Sequence, residues 1–117
     1  MKAYLIDPFT RTVTEVEHNG DYREIYKLIA CDCFATVRIN AQGDVIFLDD
    51  EGLLHGPTDF FKHDSYPDPL AGKGLVLGTD AEGDSVAPSI SFEELKTQVQ
   101  FGDLVRINGA IMWVPQD

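Results

Sequence analysis

The sequence predicts an α+β domain in which a mostly antiparallel sheet of six or seven short strands packs with two helices. Short runs rich in β-branched and aromatic residues recur along the chain, and turn-forming residues separate them. Two other segments repeat their apolar residues with the spacing of a helix. Since 117 residues are enough for one hydrophobic core, we expect residues 1–117 to form a single domain.

The N-terminal part predicts a β-hairpin followed by a helix. Residues 2–6 and 12–17 favour strands, and Asp7-Pro8 between them is a turn signal. Asp21 suits the N-cap of the helix, with Glu24 as its capping-box partner. The helix is expected to end near residues 31 and 32. Its apolar face consists of Tyr22, Ile25, Tyr26 and Ile29, with Leu28 beside them.

The middle of the chain predicts a second hairpin and then less regular structure. Residues 34–39 and 45–48 favour strands around a four-residue loop that contains Gly43. An acidic turn follows at residues 49–52. Residues 53–64 stay open, because Gly56-Pro57 interrupts any regular element.

The two phenylalanines at the end of this open segment, Phe60 and Phe61, are core or interface residues by composition. Residues 65–74, rich in proline and glycine, predict a loop.

The C-terminal part contains the clearest helix and hairpin signals. Residues 75–78 are typical of a short buried strand, and a turn is expected at residues 80–85. Ser91 suits the N-cap of the second helix, with Glu94 as capping-box partner, and Gly102 offers a stop. Asn108-Gly109 is a strong two-residue hairpin signal, so residues 104–107 and 110–114 are expected to pair.

The acidic excess lies in the middle of the chain. The formal net charge is −11, and between Ala41 and Glu94 twelve acids stand against two bases, Lys62 and Lys73. Phosphates and anionic lipids repel such a surface, so we expect no direct nucleic-acid binding and no membrane binding. No apolar run approaches the roughly 20 residues that span a bilayer, and the first residues do not fit a signal peptide. A cytoplasmic protein is the expectation.

The sequence predicts no catalytic, cofactor or metal site. No serine lies in a nucleophile elbow, and no glycine-rich phosphate loop is present. Cys31 and Cys33 lack the spacing of a zinc ligand pair. Asp80, Glu82 and Asp84 alternate as in a calcium loop, but no glutamate closes a twelve-residue loop. We therefore expect a protein that is not an enzyme.

The second half of the chain resembles a known family. Leu70 to Asp84 reads LAGKGLVLGTDAEGD, and Ser91 to Leu95 reads SFEEL at a helix start. With the N-terminal strand and first helix, this pattern is similar to a family of small bacterial proteins encoded on phages, plasmids and genomic islands and classed as a domain of unknown function. The similarity covers most of residues 1–100, although Phe92 stands where leucine is usual. It implies an accessory protein of a mobile genetic element and assigns no catalytic residues.

Two functions fit these observations. The first is binding of a basic protein partner, in its sharpest form DNA mimicry that inhibits a host nucleic-acid-binding enzyme. The candidate surface consists of the acids of two turns: Asp49, Asp50, Glu51, Asp80, Glu82 and Asp84.

The alternative is a small-molecule or metabolite-binding module with an aromatic-lined pocket. Separately, the hairpin between Leu104 and Val114 is a candidate homo-oligomer contact, because it offers apolar residues at a strand edge. The aromatic residues that would line the pocket are Tyr22, Tyr26, Phe34, Phe60, Phe61 and Trp113.

Overall fold

A computed structural model describes residues 1–31, 33–50 and 59–116. These residues form ten strands and two helices, and every strand pairing among them is antiparallel. The predicted α+β class is confirmed. The elements are β1 (Lys2–Asp7), β2 (Thr12–Glu17), α1 (Tyr22–Ile29), β3 (Phe34–Arg38), β4 (Val45–Asp49), β5 (Phe60–His63), β6 (Leu70–Ala71), β7 (Gly74–Thr79), β8 (Ser85–Val86), α2 (Phe92–Gln98), β9 (Val99–Ile107) and β10 (Ala110–Gln116).

The first sheet is built around β7. Its strand order is β2-β1-β7-β4-β3, and the short β8 pairs with the end of β7. Leu75 and Leu77 point to the face covered by α1, where Ile25 and Ile29 are buried. Val76 points to the opposite face. Burial on both faces explains why β7 is a continuous apolar run rather than an alternating one.

The second sheet covers the other face of the first, together with α2. Its order is β10-β9-β5-β6. Phe61 of β5 is fully buried in the cluster that includes Val76, Tyr4 and Leu95 of α2. Sheet and helix together therefore enclose the second half of the core.

Two regions without a predicted strand contain one. Residues 53–58 lie outside the described residues, but Phe60–His63 form β5, with Phe61 in the core and Phe60 half-buried. The expected loop at residues 65–74 contains β6, because Leu70 is buried and pairs opposite Phe61. The strand count therefore exceeds the predicted six or seven.

The first helix begins where predicted and ends slightly earlier. The Asp21 side chain accepts a hydrogen bond from the Arg23 backbone N–H at 2.9 Å, as an N-cap does. The predicted capping box is wrong in its partner, since the Glu24 carboxylate accepts from the N–H of Asn19 rather than Asp21. Ala30, in the left-handed conformation with φ of 56°, ends the helix.

The second helix begins as predicted but does not stop at Gly102. The Ser91 hydroxyl accepts from the Glu94 N–H at 3.1 Å. The chain becomes extended at Val99 and continues directly into β9. Gly102 has another role, because a Cβ there would clash with the carbonyl oxygen of Val114 in β10. Among the described residues, neither helix is long and apolar enough to cross a membrane.

A buried carboxylate ties the β3–β4 loop to the segment before α2. Asp44 is 1 % exposed and accepts hydrogen bonds of 2.8–2.9 Å from the Asn40 amide, from the Ser89 N–H and hydroxyl, and from the Ile90 N–H. Burial by itself raises the pKa of Asp44, but these donors outweigh it and hold the pKa below its ordinary value. The carboxylate is therefore a structural anchor.

Candidate functional site

The acidic residues expected to form one surface lie at opposite ends of the first sheet. β4 and β7 are antiparallel, with Leu48 opposite Gly74 and Val45 opposite Leu77. Asp49 and Asp50 therefore lie beside the start of β7, whereas the other acidic turn follows its end. Five residue steps along β7 separate the two ends by about 17 Å. Glu51 lies outside the described residues, and the described acids do not form the predicted single surface.

The acids of the turn after β7 have local roles. One Asp80 carboxylate oxygen accepts hydrogen bonds from the backbone N–H groups of Glu82, at 3.0 Å, and Asp84, at 2.9 Å. Such bonds stabilise the turn itself. Glu82 and Asp84 are exposed. Among the described residues, no group of three or more histidines, cysteines or acids is placed to hold a metal ion.

The aromatic residues expected to line one pocket are dispersed over the fold. Phe61 is in the core, and Tyr22 is 60 % exposed on α1. Tyr26 and Phe34 pack against each other, with ring centroids 5.1 Å apart, on the face of the first sheet that α1 covers. Trp113 lies on the terminal hairpin, where its indole N–H donates to Gln100. Residue type and spacing do not indicate which face each ring occupies.

The described residues instead form an open cleft of about 870 Å³ where β2, β5, β9 and the end of α2 meet. Three basic residues, Arg11, Lys62 and Lys96, are among those that line it. They are one third of the nine basic residues in a chain of net charge −11. Asp64 is the acid among the lining residues.

Each basic side chain comes from a different element. Arg11 lies in the β1–β2 turn and makes a 3.4 Å ion pair with Asp103 of β9. The Lys62 ammonium is 6.0 Å from the centre of the Trp113 ring, and that of Lys96 is 5.1 Å from the centre of the Phe92 ring. Within the described residues neither lysine forms an ion pair, so both ammonium groups of the cleft lack a direct anionic partner.

A buried histidine fixes part of the cleft wall. His63 is 2 % exposed, and its Nδ1 accepts the backbone N–H of Ser65 at 3.0 Å. The ring proton must therefore lie on Nε2, which donates to Gln98 Oε1 at 2.9 Å. Burial lowers the pKa of His63, so the ring is neutral near neutral pH.

This arrangement leaves one hydrogen-bond donor on each of two residues that line the cleft. The side-chain oxygen of Gln98 accepts the hydrogen bond from His63, and the side-chain oxygen of Gln100 accepts the Trp113 indole N–H at 2.7 Å. The remaining polar group of each side chain is its NH₂ group, which is a hydrogen-bond donor. A lining with two amide side chains and three basic residues suits an anionic ligand with several acceptor oxygens.

The described residues of the cleft do not assemble a nucleophile with a base. Ser65 lies near His63, with its hydroxyl 2.8 Å from Nδ1, but Ser65 is absent from the cleft lining. The same Nδ1 also accepts the Ser65 backbone N–H, which is the pattern of a local turn. The serine therefore stabilises the end of β5.

Sequence comparison places this fold in a family. Residues 1–100 match the family described as Domain of unknown function (DUF3846). The chain belongs to this family. The predicted membership in a family of unknown function is thus confirmed, and the DUF3846 match includes all three basic residues of the cleft. Most of the terminal hairpin, from residue 101 onward, lies beyond the DUF3846 match.

One curated relative has a name that states no function. The chain is 39 % identical over 95 residues to "Uncharacterized protein y4iR" of Sinorhizobium fredii (strain NBRC 101917 / NGR234). The aligned region covers 79 % of this DUF3846 chain and 58 % of that protein, so the match spans little more than half of the relative. No solved structure matches the chain.

Sequence reasoning missed the cleft for a physical reason. Arg11, Lys62 and Lys96 are far apart in the chain, and each is isolated among neutral or acidic neighbours. Their convergence depends on the pairing of β5 with β9 and on where α2 ends. The one sequence signal is indirect: in so acidic a DUF3846 chain, any basic residue is a candidate for a specific role.

Proposed function

We propose that this protein binds a small organic polyanion in the cleft and does not transform it chemically. The observation behind the proposal is that three basic residues, Arg11, Lys62 and Lys96, line one concave site of a protein with net charge −11. A cation cluster within an acidic surface attracts a small anion locally, whereas the surrounding charge opposes extended polyanions such as nucleic acid.

The ligand class follows from the charges and the donors. Lys62 and Lys96 lack ion-pair partners among the described residues, so a ligand with at least two negative charges can compensate both. The NH₂ groups of Gln98 and Gln100 supply neutral donors for further oxygens. About 870 Å³ lies within the range of roughly 300–1,000 Å³ that is typical of small-molecule sites. Phosphorylated or polycarboxylate metabolites meet these requirements.

The cleft is a better-supported site than the acidic turns. A basic protein partner or a DNA-binding enzyme would need a continuous acidic surface, and the described acids of the two turns lie at opposite ends of β4 and β7. The non-enzymatic role is supported by the position of Ser65, which contacts His63 but does not line the cleft.

Titration with defined anions tests this proposal. We expect pyrophosphate, ATP and citrate to bind in calorimetric titrations at low ionic strength, with affinity falling as salt is added. Lys62→Gln and Lys96→Gln should each weaken binding about tenfold, the effect of losing roughly 1.4 kcal/mol of charge-assisted hydrogen bonding. Lys27→Gln is the matched control, because Lys27 is exposed on α1 and outside the cleft.

The outcomes separate the cleft from general charge effects. Equal weakening by Lys27→Gln and Lys62→Gln would mean that net charge, not the site, governs binding. Absence of binding for all three anions at low ionic strength would refute the proposal. NMR shifts that cluster at Gln98 and Gln100 would locate the ligand at the expected donors.

A further inference from the structure

The distal part of the β9–β10 hairpin has an uncovered apolar face. In the register of the two strands, Ile107 lies opposite Ala110 and Val105 opposite Met112. Opposite residues of an antiparallel pair share a face, and residues two apart along a strand share it too. One face of the hairpin therefore carries an apolar strip formed by Val105, Ile107, Ala110, Met112 and Val114, with Asp103 opposite Val114 at its base. All five are exposed, Ile107 by 48 % and Met112 by 49 %.

The apolar strip continues the core-facing side of the second sheet. Val99 and Phe101, on the same face of β9, pack against the core at the base of the sheet. β5 pairs with β9 from Val99 to Gly102, and beyond that point β10 is the neighbour of β9 among the described strands. This face of the second sheet is thus covered by the core near β5, and it is uncovered at the distal end of the β9–β10 hairpin.

The free edge of β10 is a poorer contact than this face. Asn108 and Gly109 both have positive φ, so the hairpin is a two-residue turn whose flanking pair, Ile107 and Ala110, is hydrogen-bonded. Hydrogen-bonded and non-hydrogen-bonded pairs alternate along the two strands. The backbone N–H groups of Ile111 and Trp113 therefore point away from β9, toward the free edge, and Pro115 occupies the next such position. Proline has no N–H to donate, so strand addition at this edge would lack a bond.

We propose that the apolar strip packs face to face against the same strip of a second copy of this chain. The charge distribution favours this occupant. Residues 103–116 contain one acid, Asp103, and one base, Arg106, whereas the whole chain carries −11. Two copies repel each other least when they meet through this neutral segment. A two-fold contact of one strip with itself is the commonest interface symmetry.

The expected dimer is reversible and depends on concentration. Two short strands present less area than the roughly 800 Å² per partner of a stable interface. This inference does not depend on the proposed ligand site, because none of the five residues of the apolar strip lines the cleft. A monomeric protein could still bind anions, and a dimeric one could fail to.

Sedimentation velocity over about three decades of protein concentration tests the dimer. We expect the mass to rise from 13.0 kDa toward twice that value as concentration increases. Added salt should shift the transition to lower concentration, since it screens repulsion between like-charged bodies. Met112→Lys places a charge in the apolar strip and should keep the protein monomeric throughout. Ile111→Lys is the matched control on the opposite face and should still dimerise.

Each result decides the proposal. A mass of 13.0 kDa at every concentration for the parent chain overturns it and leaves the apolar strip to a different partner. Dimerisation that survives Met112→Lys but is lost with Ile111→Lys overturns the assigned face. Circular dichroism on both variants establishes that they fold, and a Val105→Lys variant gives a second test on the same face.

Discussion

β7 and the distal part of β9 are similarly apolar, but β7 is buried and the distal part of β9 is exposed. Leu75, Val76 and Leu77 of β7 are fully buried, whereas Val105 and Ile107 of β9 are 39 % and 48 % exposed. β7 has a strand on each side and a helix or sheet over each face. Beyond Asp103, β9 pairs with β10 at an edge of its sheet. Neighbours, rather than hydrophobicity, decide whether an apolar strand becomes core or surface.

The difference also separates stability from interaction. Residues of β7 stabilise the fold through burial, and their loss should be measured as a lower free energy of unfolding. Residues of the apolar strip contribute little to the fold of one chain, so their replacement should alter association instead. Four predictions test this division.

The largest expected effect is at the polar anchor beside β7. Asp44→Ala should lower the free energy of unfolding by about 3 kcal/mol, because the buried donors of Ser89, Ile90 and Asn40 lose their acceptor. Urea denaturation monitored by circular dichroism measures the change. Asp103→Ala on the hairpin is the control and should cost less than about 1 kcal/mol, as expected for a partly exposed ion pair. Similar losses for both would contradict the division between the two regions.

A pair of identical substitutions compares the two strands directly. Val76→Ala should cost about 2 kcal/mol, since it removes two buried methyl groups and leaves a cavity. Val105→Ala should change the free energy of unfolding by less than about 0.5 kcal/mol when measured at low protein concentration. If Val105→Ala destabilises the monomer as much as Val76→Ala does, the hairpin face is part of the core and the proposed dimer surface is wrong.

A smaller effect on the free energy of unfolding is expected from His63, at the base of the second sheet. His63 has a lowered pKa because it is buried, so below about pH 6.5 the unfolded chain binds a proton that the folded chain does not. Stability should therefore fall as pH drops from 6.5 toward the folded pKa, by less than the losses above. His63→Gln should flatten that part of the profile. A slope that persists unchanged in His63→Gln would assign it to other groups.

Asp44 should act in a separate and more acidic window. Its folded pKa lies below the ordinary value, so its stabilising contribution is present above about pH 4 and is lost as pH falls through the folded pKa. Urea midpoints measured at closely spaced pH values distinguish the two windows. The Asp44→Ala variant is the reference for this lower transition.

Local signals in the sequence predicted the elements well where the cause is local. Ser91 caps α2, and Asn108-Gly109 forms the turn between β9 and β10, because both depend on a few adjacent residues. Gly102 was misread as a helix stop, since its actual requirement is the close approach of Val114 across the hairpin. The sequence around β5 carries no clear strand signal, because the pairing of β5 with β9 joins residues about forty positions apart.

The candidate site was less predictable than the fold. The sequence grouped Asp49 with Asp80 by their shared charge, but antiparallel pairing of β4 with β7 places them at opposite ends. Arg11, Lys62 and Lys96 are far apart in the sequence, but in the tertiary structure all three line one cleft.

Composition and adjacent residues are enough to predict the net charge, the α+β class, the helix N-caps and the tight hairpin turn. Tertiary structure decided which apolar strand is buried, where the acids separate and where the bases meet. Those features depend on strand order and register, which are set by packing between segments that are distant in the chain. For this reason the charge of −11 described the protein as a whole, while its candidate site is a small basic exception.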